Sequence, residues 1–402
     1  MITFVFLIIY LWLLLHKPTK TILISVIWYP SMTLYNVLNP GLIISVSLIV
    51  LFVRDWNKIK KKNMFPFWIP FAFCASSYVI SYFIWHAGFI AIYQSLFIYI
   101  LPIAFWIYYK DNIPTRHFFM KHLVTYLFIL TLVGVIEAVF HINLFFDLAK
   151  AMNSEIPDKG FNIRFGLKQA QSITIWCECF GTVCGMAAAV IPFYLKKWNL
   201  RIDLKMQLLL GLLLFSVICS GSRTAIAASA ICLVGTFLHF KGKSMLLLLV
   251  PIMLLPIIFP DMFDEIYGSM VHQGEYGGSS SDMRENQWLI SLYYASKNLF
   301  FGTGLGRTWT IGYESGLLGA ESILFYTIID RGIWGLITIG FLFVYIVVYL
   351  IKHKNYCLCF IVLGFLANKL ITLTAGLDET YPLLWLIPLL KEQLKEQEYE
   401  AK

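Results

Sequence analysis

The 402-residue chain is poor in charge. Asp, Glu, Lys and Arg together make up 13% of it, about half the quarter expected of a soluble domain. It also lacks the marks of several protein classes. It has no H-E-x-x-H, no acidic metal cluster and no G-x-S-x-G. The eight cysteines include two C-x-C pairs, Cys177/Cys179 and Cys357/Cys359, and neither has a second pair at zinc-like spacing. They read as structural thiols in apolar segments. Residues 1–16 have no basic n-region and no small-residue cleavage site, so they read as a retained helix rather than a signal peptide.

What is abundant is apolar surface. Hydrophobic residues make up 59%; with Gly counted in place of Tyr the share is about 60%, against roughly 45–50% in soluble domains. One water-soluble core cannot hide that much. The composition therefore predicts an all-α polytopic membrane bundle and excludes a soluble enzyme or a nucleic-acid-binding module. The net charge of +8 does not imply nucleic acid, because the basic residues sit in short clusters between apolar runs.

Apolar segments lie near 2–16, 21–37, 41–53, 65–85, 88–109, 118–140, 170–195, 206–221, 224–240, 244–260, 318–351, 355–374 and 379–391, predicting about 12–13 spans. With the basic stretch 54–62 in the cytoplasm, about two-thirds of the 31 Lys and Arg residues fall on that side. A cytoplasmic tail at 392–402 follows, and two long loops face outside, 141–169 and 261–317. The whole chain, 1–402, reads as one transmembrane domain. In the larger loop Gly277-Gly278-Ser279-Ser280-Ser281 is a hinge, and Asp282 with Glu285 is a helix-start signal. The spacing predicts an amphipathic helix with Trp288, Leu292, Ala295 and Leu299 on one face, lying on the membrane surface or capping a cavity.

Charges at membrane depth are costly and mark candidate sites: Glu137, Glu178, Arg223, Glu321, Asp330, Arg331 and Lys369. Arg223 stands in Ser220-Gly221-Ser222-Arg223-Thr224, between two apolar spans. Its guanidinium fork suits phosphate, and an interfacial snorkelling arginine explains it equally. Arg284 at the start of the loop helix opposes the helix dipole, a conflict that a nearby anion would relieve; a merely solvated loop charge explains it equally. Arg164 precedes the seventh span. Glu321 opens the eleventh, either as a helix-start carboxylate or as a general base at the edge of a dry cavity. Asp330 and Arg331 are adjacent and need separate partners, with Glu178 and Lys369 as candidates. Gly302-Thr303-Gly304-Leu305-Gly306, with Arg307 where a dinucleotide fingerprint needs glycine, reads as a tight turn and not a phosphate loop.

In order and placement these pieces resemble the O-antigen polymerase / O-antigen ligase superfamily of bacterial membrane glycosyltransferases. Four stretches within about 160–345 carry the resemblance. They are Arg164-Phe165-Gly166 with the following span, Ser220-Gly221-Ser222-Arg223-Thr224, Arg284-x-x-x-Trp288 followed by the glycine cluster, and Glu321-Ser322 followed by Gly332-x-x-Gly335-Leu336. The first 150 residues match only in hydropathy. Ligases of the family tend to carry His where Glu321 aligns, whereas many repeat-unit polymerases carry Glu-Ser, so the resemblance favours a polymerase. It implies transfer of a glycan from undecaprenyl diphosphate to another lipid-linked repeat unit, with no cofactor and no metal. Arg223 and Arg284, with Arg164 and Arg307 in support, would hold the diphosphate and its developing charge. Glu321 would take or orient the acceptor proton, and Trp288 and Trp309 would stack on sugar rings. Membrane lipid, a chain-length regulator and a flippase are the implied partners. A ligase, a lipid-linked oligosaccharide flippase or transporter, and a non-catalytic assembly partner are the alternatives. The expected setting is the bacterial cytoplasmic membrane, with the active site outside and the C-terminus inside.

Overall fold

The computed structural model describes residues 2–32, 39–59, 65–86, 88, 90–143, 145, 147, 150, 163–164, 167–201, 203–240, 281–308, 310–311, 322–372 and 377–400. The expected span at 244–260 and much of both long loops lie outside these residues.

The described chain is helical, as its composition requires. Its helices are α1 (Ile2–His16), α2 (Pro18–Met32), α3 (Pro40–Arg54), α4 (Trp56–Ile59), α5 (Trp68–Ile84), α6 (Ile90–Tyr108), α7 (Ile113–Phe140), α8 (Cys177–Lys197), α9 (Leu204–Cys219), α10 (Arg223–His239), α11 (Ser281–Lys297), α12 (Ile323–Lys352), α13 (Tyr356–Ile371) and α14 (Tyr381–Glu400). Between α7 and α8 a two-residue antiparallel ladder pairs β1 (Ile163–Arg164) with β2 (Leu167–Lys168). Of the described helices α7, α8 and α12 are long and apolar enough to cross a membrane by themselves. The remaining apolar helices reach 15–17 residues in several cases, about 22–26 Å at 1.5 Å per residue, short of the roughly 30 Å hydrocarbon layer.

Local chemistry sets the helix starts. Asn112, Asp203, Ser222 and Ser322 cap α7, α9, α10 and α12, each accepting a backbone N–H two or three residues on. α8 is the central helix, with almost all of its side chains buried. Its Gly181 and Gly185 lie directly against Ser220, Ala225 and Ser229 of the α9–α10 region, the small-residue packing that lets membrane helices approach closely. α1 and α2 form a tight hairpin about Lys17, closed by a 2.7 Å hydrogen bond between the Tyr10 and Ser25 hydroxyls.

Described loops are tied together at two ends of the bundle. At one end Arg54 Nη1 donates to the Leu15 carbonyl (2.7 Å), Tyr108 Oη to Asp55 (3.0 Å) and Thr19 Oγ1 to the Tyr108 carbonyl (3.2 Å). There the hydrogen-bonded Arg54 guanidinium holds the Asp55 carboxyl down to about 2. The other end, the site end, gathers the segment 167–172, the α9–α10 turn, the start of α12 and the end of α13.

α12 is two limbs. At Gly332 the backbone leaves the helical region (φ 62°, ψ −160°). The limb 333–352 spans about 30 Å and α13 about 24 Å. Ser322, at the far end of the other limb, nonetheless donates its hydroxyl to the Leu370 carbonyl at the top of α13 (2.6 Å). The limb 323–331 therefore runs across the site end of the bundle rather than continuing upward. The single apolar run in the sequence hides this corner.

α11 forms where the helix-start signal places it, but of the expected apolar face only Ala295 is buried. Gln287, Ser291 and Ala295 are the residues buried on α12, next to Ile328 and Ile329. Leu289, Leu292, Tyr293 and Leu299 are exposed, and Trp288 is 39% exposed. The apolar-stripe rule assumes water on the far side. Beside a membrane the close contact is made by small residues and the apolar side chains face outward. The expected cytoplasmic tail continues α14 as helix to Glu400.

Candidate functional site at the crossing limb of α12

The Ser220–Thr224 motif folds into a turn that ends α9 and starts α10. Gly221 adopts φ 59°. Ser220 Oγ closes onto the Val217 carbonyl (2.6 Å), and Ser222 Oγ caps α10 through the Ala225 N–H (3.3 Å). A second segment braces this turn from outside. Ala170 N–H donates to the Cys219 carbonyl (2.9 Å) and Gln169 Nε2 to the Gly221 carbonyl (3.2 Å). That segment is itself gripped by Glu137, whose Oε2 accepts the Gln171 and Ser172 N–H groups (3.2 and 2.7 Å). Glu137, a candidate from membrane depth, thus holds irregular backbone; its Oε1 is buried with no hydrogen-bond partner among the described residues. Nearby Lys168 is buried, with its ammonium on Asn143 and the Ile142 carbonyl. Burial pulls its pKa below the usual lysine range.

Arg223 occupies the first position of α10 and is half-buried. Its neighbour Thr224 accepts a 3.2 Å hydrogen bond from Thr372, just beyond α13. Two residues before Thr372, the Leu370 carbonyl receives Ser322, the cap of α12. The positive ends of two helices, α10 and the crossing limb of α12, are therefore joined through the end of α13. Oriented N–H groups at a helix start favour an anion, and here two starts and a guanidinium-bearing residue converge. Trp288 of α11 lies against the same limb, its ring 5.8 Å from that of Phe325.

Arg307 is elsewhere. It sits at the opposite end of the crossing limb, its guanidinium 5.1 Å from the Trp85 ring centroid. Arg164 stands on β1 and Arg284 in the first turn of α11 by their backbone positions. Glu321 and Trp309 lie outside the described residues, although Glu321 directly precedes Ser322 in the chain.

The expected partners of Asp330 and Arg331 are corrected. Neither Glu178 nor Lys369 takes either residue. The Asp330 carboxylate accepts the Gly306 N–H (2.9 Å), the Thr308 N–H (2.8 Å) and the Thr308 hydroxyl (2.6 Å). It clasps the glycine turn to the corner of α12. Arg331, fully buried, pairs with Glu379 at 4.0 Å and lies 4.0 Å over the Tyr78 ring. It also donates to Thr327 (3.1 Å). Glu379 in turn accepts the Tyr78 and Tyr99 hydroxyls at 2.9 and 3.0 Å. Adjacent Asp378, in the loop before α14, has its carboxyl pushed up to about 8 by burial and then by the charge of Glu379. Glu178 contacts the Cys177 thiol (3.2 Å). Lys369 is buried on α13 within the field of Glu379.

Gly302 and Gly332 make this corner possible. A Cβ at either would stand 2.5 Å from backbone of the other strand, Arg331 N in one case and Gly302 N in the other, and both have positive φ. The glycine turn is indeed tight, as its spacing predicts.

The described fold is that of a helical membrane protein in which the starts of α10 and α12 gather at one end of the bundle. Residues 208–340 match the model of a family described as O-antigen ligase. The match covers the Arg223 turn, α11, the glycine turn and the corner of α12. It is consistent with the O-antigen polymerase/ligase superfamily that the motifs resemble, whose members are membrane glycosyltransferase-like enzymes. No curated protein and no solved structure matches the chain.

Proposed function

We propose that the protein is a polysaccharide repeat-unit polymerase of the bacterial cytoplasmic membrane. It would transfer a glycan from undecaprenyl diphosphate to the non-reducing end of another lipid-linked repeat unit. The observation that carries this reading is the convergence of the α10 and α12 starts, with Arg223 on one and Glu321 immediately before the other. In the reaction an acceptor hydroxyl oxygen attacks the anomeric carbon of the donor as the carbon–oxygen bond to the diphosphate breaks. The hydroxyl proton passes to Glu321. The negative charge that stays on the departing diphosphate is met by Arg223 and the two helix starts, with Arg284 and Arg164 in support. The leaving group is already good, so positioning and charge stabilisation suffice and no metal is required. The site end faces the extracytoplasmic side in this reading. A chain-length regulator and a flippase act with it, and the product is an O-antigen, capsule or exopolysaccharide.

Ligation of a finished glycan to another acceptor is the second reading, favoured by the description of the matching family. Lipid-linked glycans from cells lacking the protein, compared with cells carrying Glu321→Gln, decide the matter. Under the polymerase reading the ladder collapses to a single repeat unit in both. Long polymer retained on the carrier identifies a ligase, and unchanged glycans refute both.

A further inference from the structure

α5 ends at Ile84, and the chain continues as extended backbone at Trp85 (φ −163°, ψ 151°). It runs alongside the glycine turn. Leu305 N–H donates to the Trp85 carbonyl (2.8 Å), and His86 forms a parallel bridge with Leu305. The two residues that flank Arg307 are both held by the Asp330 carboxylate. Three side chains are thereby carried on backbone fixed from both sides. Trp85 is half-buried beneath the Arg307 guanidinium. His86 is exposed and stacks on Tyr82, with centroids 4.2 Å apart and planes within 12°.

We propose that Trp85, His86 and Arg307 form a carbohydrate subsite for the glycan of the repeat unit, distal to the diphosphate. This assignment rests on the glycosyl-transfer reading above. A pyranose presents an apolar C–H face and a rim of hydroxyls. An aromatic ring matches the face, while an imidazole and a guanidinium supply directed hydrogen bonds to the rim. The clasped backbone fixes these groups beforehand, which lowers the ordering cost of binding. A guanidinium and an imidazole in the same patch argue against an acyl chain as the occupant. Position makes the assignment specific. The nine residues 323–331 separate Ser322 from the corner, about 13 Å at 1.5 Å per residue. A glycan anchored by its diphosphate at the α10 and α12 starts would reach this platform with sugars beyond the first.

The test is binding of synthetic polyprenyl diphosphates to the full-length protein in nanodiscs. One ligand carries a single sugar and the other the complete repeat unit. His86→Ala, at an exposed position, and Trp85→Leu, which keeps apolar bulk, are compared with wild type. Each should weaken binding of the complete unit roughly tenfold and leave the single-sugar ligand unchanged. Equal loss for both ligands, or no loss for either, overturns the subsite. A change confined to anionic nanodiscs, with glycan binding intact, assigns the patch to lipid headgroups and overturns it as well. Wild-type protein that binds neither ligand refutes the glycosyl-transfer reading itself, which separates that failure from failure of the subsite.

Discussion

Removing Glu379 should be among the most damaging single changes to this fold. Arg331 is 1% exposed, and Glu379 stands 4.0 Å from its Nη1. At an effective dielectric constant of about 20, two unit charges at that distance attract by about 4 kcal/mol. The loss of one partner from a buried pair typically costs about 3–5 kcal/mol, because the survivor is left charged and desolvated. Tyr78 and Tyr99 would lose their shared acceptor at the same time. Against a total stability of about 5–15 kcal/mol, Glu379→Ala should melt well below wild type. The melting temperature of detergent-solubilised protein, followed by size-exclusion chromatography after heating, reads this directly. The double variant Arg331→Met/Glu379→Gln should recover most of the loss, since both charges go together and Gln still accepts from the tyrosines. A single variant that melts with wild type, or a double variant no better than the single, would refute the reasoning.

Gly332→Ala forces a Cβ onto Gly302 N at positive φ, so it should destabilise by more than about 2 kcal/mol, visible in the same melt. Glu137→Ala strips the acceptor from two buried amides at about 1–3 kcal/mol each and should loosen the Arg223 turn, lowering polymer yield, while Glu137→Gln keeps an acceptor oxygen and much of the yield. Asp378, with its carboxyl pushed up to about 8, binds more protons in the folded than in the unfolded chain between pH about 4 and 8. Stability should therefore fall as pH rises through that window, and Asp378→Asn should remove that part of the slope in melts taken from pH 5 to 9. Arg223→Ala should cut transfer by about 10²-fold or more, with partial retention in Arg223→Lys, measured as polymer formed from purified lipid-linked units.

Much of the bundle is legible in the sequence because hydropathy and capping are local. The Arg223 turn, the start of α11 and the tight glycine turn follow from residues a few positions apart. The corner in α12 does not, because its cause lies in the turn at 299–308 and nothing in an apolar run signals it. The partners of Arg331 are hidden for the same reason: Tyr78 and Glu379 are remote in sequence. Their one local signal is the acid pair Asp378-Glu379 opening the last apolar segment. Trp85 and His86 carry no motif and become visible only once Leu305 is seen beside them.

Backbone amides freed by the break at Gly332 are taken up by the preceding turn, Ile333 N–H by the Leu299 carbonyl and Trp334 N–H by the Phe300 carbonyl, both at 3.0 Å. The glycine turn is thus no appendage of the long loop. It completes a helix whose own hydrogen bonding is interrupted, where bare amides beside lipid would be costly. The turn at 299–308 and the corner at 330–334 are in that sense one unit. A chimera that exchanges the loop but keeps the native helix breaks the unit in the middle, and a successful graft has to carry the turn and the corner together.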